Sequence, residues 1–141
     1  MNIRLVEKEG FAALVLRLRA EGVADTALLS AMEQTPRTMF VGAAHAPHAY
    51  ENRLLPIDCG GFAESPDLIA RLLSLADLAP GQRVLDVGTG SGFTAGLIGR
   101  IAERVLTIDR YKTLVQLAQQ RYSHLAITNV VARQGDGAKG V

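Results

Sequence analysis

The chain has one cysteine, no tryptophan and only 5% aromatic residues among its 141 positions. A lone thiol, Cys59, permits no internal disulfide, so the fold has to rest on apolar burial; a single free thiol also fits a reducing, cytoplasmic compartment. Charge excess is absent too, with 15 Lys and Arg against 14 Asp and Glu for a net +1. The charges are interspersed, so no basic stripe advertises nucleic acid and no acidic tail advertises a cationic partner. No apolar run approaches the ~18 residues of a membrane span. Glu7, Glu9, Arg17 and Arg19 interrupt the stretch where a signal peptide needs an unbroken apolar segment. Neither nucleic acid nor membrane is therefore an expected partner, and nothing in the pattern specifies an oligomeric state.

What is present is apolar material: 48% hydrophobic residues, enough for one core and one domain or part of one. Phe11, Leu14, Val15 and Leu18 fall at helical spacing with Arg17, Arg19 and Glu21 opposite, predicting an amphipathic helix stopped by Gly22. Asp25 is placed to cap a second helix with Leu28 and Met32 on one face, ended by Pro36. From Phe40 to Glu64 neither period is sustained, which predicts a long ordered loop. His45, His48 and Cys59 lie in it, but three candidate ligands without a repeated pair or a fourth partner do not make a metal site. Ser65-Pro66-Asp67 then supplies a cap, a first-turn proline and an acid for a helix whose stripe is Leu68, Ile69, Leu72, Leu73 and Ala76. The expected division is a helical and loop region, 1–64, followed by 65–141 as half of a nucleotide-binding sheet.

Organisation centres on Arg83-Val84-Leu85-Asp86-Val87-Gly88-Thr89-Gly90-Ser91-Gly92-Phe93, an apolar run that ends in an acid and breaks into alternate glycines. Val84, Leu85 and Val87 read as a buried parallel strand after the turn at Pro80-Gly81. The glycines free the backbone to turn left-handed and approach a ligand, and Phe93, Leu97, Ile98 and Ile101 predict the helix that follows. Arg104-Val105-Leu106-Thr107-Ile108-Asp109 repeats the strand-then-acid pattern about 20 residues after the loop, where a carboxylate commonly takes both ribose hydroxyls. Leu114, Leu117 and Ala118 mark one more helix, Asn129 to Ala132 a third strand, and Gln134 to Gly137 a turn.

The identity of the nucleotide turns on Asp86. Gly90-Ser91-Gly92-Phe93-Thr94-Ala95 formally fits the dinucleotide fingerprint. An acid two residues before the first glycine, however, repels a pyrophosphate and attracts the ammonium of an amino-acid-bearing ligand. That combination points to S-adenosyl-L-methionine.

These residues together resemble the protein-L-isoaspartate O-methyltransferase family of class I S-adenosylmethionine-dependent methyltransferases. Ala31-Met32, Thr35-Pro36-Arg37, Phe40-Val41, Ala49-Tyr50 and Leu55-Pro56-Ile57 resemble its N-terminal signature, which is more specific than the glycine loop. Leu85 to Phe93 is similar to the first cofactor motif, Leu106 to Asp109 to the second, and Gly135-Asp136-Gly137 to the turn beside the adenine. The resemblance implies an α/β, Rossmann-like sheet with strands in the order 3-2-1, the remainder missing, preceded by N-terminal helices. It implies methyl transfer to a carboxylate of a protein or peptide. It also implies that Asp86, Gly88, Thr89, Gly90, Ser91 and Gly92 hold the methionine part, Asp109 with Arg110 the ribose, and Asp136 with Gly137 the adenine.

Two departures qualify this expectation. The family carries Thr-Ile-Ser, one further residue, then Pro, whereas Phe62, Ala63 and Glu64 occupy those places here and Ser65 falls one position late. Glu64 and Ser65 are thus the candidate catalytic positions. An acid near the reacting sulfur repels an anionic acceptor: two charges ~4 Å apart at an effective dielectric of ~20 interact by about 4 kcal/mol. Weak isoaspartate repair is therefore expected. The second departure is that the chain ends at Val141, four residues past Gly137 of the Gly-Asp-Gly turn, which predicts a shortened chain with an uncovered first strand. Two other readings remain open: a non-catalytic S-adenosylmethionine-binding paralogue, and an NAD-dependent oxidoreductase that uses the dinucleotide register.

Overall fold

A computed structural model describes residues 2–140. Helix α1 (Ile3–Ala20) starts well before the periodic stretch at Phe11, because the Asn2 side chain accepts hydrogen bonds from the amides of Arg4 and Leu5 and caps it. Its first turns leave Ile3 and Leu5 in solvent, and burial begins only at Leu14 and Leu18. In α2 (Thr26–Glu33) the Asp25 carboxylate accepts from Ala27 and Leu28, and Leu28 and Met32 are buried as their spacing predicts.

The expected long loop is more structured than its pattern suggests. A 3₁₀ turn at Arg37–Phe40 leads into it, and it holds another at Ala43–His48, then a hairpin in which β1 (Leu55–Pro56) pairs antiparallel with β2 (Phe62–Ala63). Elements this short leave no periodicity to read. Arg37 organises the region from inside the core: Nε donates to the Ala49 carbonyl at 2.6 Å, Nη2 to the Glu64 carbonyl at 2.6 Å, and its guanidinium lies 4.8 Å from the Phe93 ring centroid. Burial pushes its pKa down to about 10, against the pull of Tyr50 and Asp67, so it is charged at neutral pH.

Helix α3 (Pro66–Leu75) has its first-turn proline and a Ser65 cap, whose hydroxyl accepts from the Leu68 amide at 3.1 Å. Its Asp67 carboxylate receives two hydrogen bonds from Arg17, each 2.9 Å, tying α3 to α1. The expected buried stripe is displaced: Ile69, Ala70 and Leu73 are buried, whereas Leu72 and Ala76 are exposed. The helix faces α1 and α2 through the Ile69 side, so its other flank is not needed for the core.

Strands β3 (Arg83–Val87), β4 (Arg104–Asp109) and β5 (Val130–Gln134) form a parallel sheet in the order β3-β4-β5, joined by α4 (Phe93–Ile101) and α5 (Lys112–His124). This is the predicted 3-2-1 arrangement. β3 is an edge strand, which agrees with the expected uncovered first strand and corrects the buried strand read from its apolar run, with Leu85 51% and Val87 62% exposed. β4 lies between two neighbours and buries Val105, Thr107 and Ile108. A single apolar cluster runs from Leu14 through Phe40, Phe93 and Tyr122 to Ala132, linking the helices of 1–64 to the sheet.

Candidate functional site

The chain turns sharply where β3 ends. Gly88, Gly90 and Gly92 have φ of 93°, 55° and 89°, the left-handed region that a side chain disfavours. The loop is held rigid from several sides. The amides of Gly88 and Thr89 donate to the Ile108 carbonyl, Arg121 donates to the Ser91 carbonyl at 2.7 Å, and the Tyr122 hydroxyl donates to the Gly92 carbonyl at 2.7 Å. Gly92 itself is packed from behind, since a Cβ there would stand 2.9 Å from the Tyr122 hydroxyl and 3.0 Å from Ala118 Cβ.

Two hollows flank this loop and share Phe62, Val87, Gly88 and Gly90 as a common wall. The larger, about 410 Å³, is bounded by Asp109, Arg110 and Tyr111 after β4, by Asp136 and Gly137 after β5, and by Ile57 and Gly61 from the hairpin loop. The smaller, about 220 Å³, contains Asp86 with Thr89, Ser91 and Thr94, and is closed by Ala63 and Glu64. Among the described residues no lysine, arginine or histidine lines it.

Each strand-ending acid faces its own hollow. Asp109 accepts the Gly90 amide at 3.1 Å through Oδ2 and the Tyr111 amide at 3.0 Å through Oδ1, which fixes the carboxylate while each oxygen keeps a further acceptor site. Asp86 accepts from the Thr107 hydroxyl at 2.8 Å through Oδ2. Burial pushes the Asp86 carboxyl above its usual range; the Thr107 hydrogen bond opposes this and the Asp109 charge adds to it. Asp136 spends Oδ1 on the Ala138 amide at 3.0 Å, and Gly137 lies so close to β3 that a Cβ would meet Val87 Cγ1 at 2.4 Å.

The sequence-predicted residues therefore separate by position. Gly88, Gly90, Asp109, Arg110, Asp136 and Gly137 line the larger hollow; Asp86, Thr89, Ser91 and Glu64 line the smaller, which also takes in Gly88 and Gly90. Gly92 lines neither and serves as the left-handed cap of α4. Ser65 lines neither, its hydroxyl turned to the start of α3. His48 pairs with Glu51 and Cys59 is exposed, and among the described residues no three His, Cys, Asp or Glu side chains converge. Sequence reasoning gave no site role to Gly61 and Tyr111, which carry no motif of their own, to Ile57, visible only as the end of the Leu55-Pro56-Ile57 signature, or to Thr107, a β-branched residue that reads as strand filler.

A parallel strand ending in an acid, a left-handed glycine turn opening a helix, and a second acid across the same hollow define a class I methyltransferase fold with a Rossmann-like half-sheet. A solved structure of a protein-L-isoaspartate O-methyltransferase superposes with a TM-score of 0.81 at 26% identity, covering 96% of this chain and 44% of the other. The chain belongs to the protein-L-isoaspartate(D-aspartate) O-methyltransferase family, whose model matches residues 9–141. Among its relatives, the protein-L-isoaspartate O-methyltransferase of Rhizobium meliloti (strain 1021) is 54% identical over 128 residues, 91% of this chain and 63% of that protein. That of Maricaulis maris (strain MCS10) is 41% identical over 127 residues, 90% of this chain and 60% of its own length. The chain thus spans somewhat under two thirds of the length of these relatives.

Proposed function

We propose that the full-length protein is an S-adenosyl-L-methionine-dependent methyltransferase that methylates a carboxylate of a protein or peptide. The observation that carries this reading is the pair of acids, Asp86 and Asp109, opening into separate hollows across one glycine wall. The donor set fits an amino-acid nucleoside: a carboxylate without a cationic partner among the described residues for an ammonium, a second carboxylate with acceptor sites left for ribose hydroxyls, and bare backbone at Gly88, where a Cβ would meet nothing within 4 Å. Asp86 would hold the ammonium, Asp109 the ribose, and Asp136 with Gly137 the adenine. When bound, the cofactor supplies an electrophilic methyl group on a sulfonium.

The chain's own contribution is alignment and exclusion of water, because a carboxylate acceptor is already ionised and needs no base. Ala63 and Glu64 close the smaller hollow, and Arg37 fixes that segment through the Glu64 carbonyl. The Glu64 carboxylate at this hollow would stabilise a bound sulfonium before transfer more than during it and would repel an anionic acceptor, so slow turnover on isoaspartyl peptides is expected. Replacing Glu64→Ser should raise the rate of labelled methyl transfer to such a peptide about tenfold or more. An unchanged rate would remove Glu64 as the brake. Calorimetric titration of the full-length protein with S-adenosylhomocysteine and with NAD tests the cofactor, and preference for NAD would overturn the reading.

A further inference from the structure

Thr107 sits fully buried in the middle of β4 and lines neither hollow, yet it touches the glycine loop and the first acid at once. Its hydroxyl donates to Asp86 Oδ2 at 2.8 Å and stands 2.8 Å from the hydroxyl of Thr89. A hydroxyl has one hydrogen and an ionised carboxylate has none, so the Thr107 hydrogen goes to Asp86 and Thr89 must donate into Thr107. The relay therefore has a direction, from loop to strand to acid.

The remainder of Asp86's surroundings shows what the relay leaves available. Among the described residues no hydrogen bond reaches Oδ1, and no ion pair reaches the carboxylate. Oδ1 is not sealed in the core either, since among the described residues the one fully buried side-chain polar atom without a partner is Nη1 of Arg37. Asp86 lines the smaller hollow, so the fold restrains one oxygen and leaves the other to whatever enters. Packing alone does not call for hydroxyls here, because valine has nearly the shape of threonine and suits a buried strand centre.

We propose that Thr107, backed by Thr89, is a positioning residue that holds Asp86 so that its free oxygen grips the ammonium at the amino-acid end of the ligand. The relay acts on that end alone, leaving the nucleoside end to Asp109 and the turn after β5. This rests on the S-adenosylmethionine reading given above.

The test uses the full-length protein and two ligands measured by calorimetry: S-adenosylhomocysteine, which carries the amino-acid end, and 5′-methylthioadenosine, which lacks it. Thr107→Val should weaken S-adenosylhomocysteine about tenfold while methylthioadenosine stays within about twofold, and Thr107→Ser should restore the wild-type ratio. Thr89→Val reads the same relay from its outer end and should shift the ratio in the same direction, which keeps the test open should the Thr107 variant fold poorly. Equal losses on both ligands, or none, would overturn the positioning role. Failure of the wild type to bind S-adenosylhomocysteine at all would instead remove the cofactor reading, and this proposal with it.

Discussion

At the scale of single residues, the role proposed for Asp86 sets binding against stability. Its pKa is raised by burial, so the folded state holds the proton more tightly than the unfolded chain does. Its contribution to stability is full below the unfolded pKa and is lost as pH rises through the folded one; at neutral pH the ionised group therefore weighs against folding. Asp86→Asn should raise the melting temperature at pH 7, with the gain vanishing in acid, while S-adenosylhomocysteine binding measured on the same sample is lost. The wild type should likewise release the ligand as pH falls through the raised pKa, at a higher pH than an ordinary carboxylate would give. A melting temperature unchanged or lowered by the amide would show that burial of this charge costs the fold nothing.

At the scale of elements, caps and ties decide the outcome. Ser65→Ala removes the Leu68 amide's acceptor at the start of α3 and should cost about 1 kcal/mol in urea denaturation. Methyl-transfer rate per folded molecule should not change, and a fall in that rate would return Ser65 to the chemistry. Arg37→Met leaves the Ala49 and Glu64 carbonyls without their donor and should cost about 3 kcal/mol, read by the same denaturation. Legibility follows the same physics. The starts of α2 and α3, the strands ending in Asp86 and Asp109, and the glycine loop were readable because caps, periods and acids are local signals. The β1–β2 hairpin and the 3₁₀ turns were not, since strands of two residues each have no period. The exposure of Leu72 depends on which neighbours cover α3, and no local pattern encodes that; the exposure of Leu85 follows the expected uncovered first strand and not the local apolar run, which reads as buried. Arg37 was visible as part of a family-like triplet, but its grip on Glu64 depends on positions 27 apart in sequence.

At the scale of the whole molecule, the sheet is asymmetric. β5 and β4 are backed by α5, whereas the outer side of β3 presents Leu85 and Val87, and Leu72 and Leu75 of α3 are also exposed. Unpaired strand edges with apolar side chains invite pairing with another chain. The 141-residue chain should self-associate with rising concentration, and Leu85→Lys should reduce the apparent mass in light scattering while leaving the circular dichroism spectrum unchanged. Equal masses at every concentration would show that the edge is inert.

The hairpin loop has a kinetic consequence. Ile57 and Gly61 form a wall of the larger hollow, and the span between them is held by the Ile57 amide on the Gly61 carbonyl at 3.0 Å and by two strand pairs. So few bonds open readily. On the S-adenosylmethionine reading proposed above, the fraying of this short strap should time the departure of spent cofactor, with the bound molecule acting as its rivet: deuterium should enter the Ile57 amide quickly in the empty protein and slowly in the saturated one.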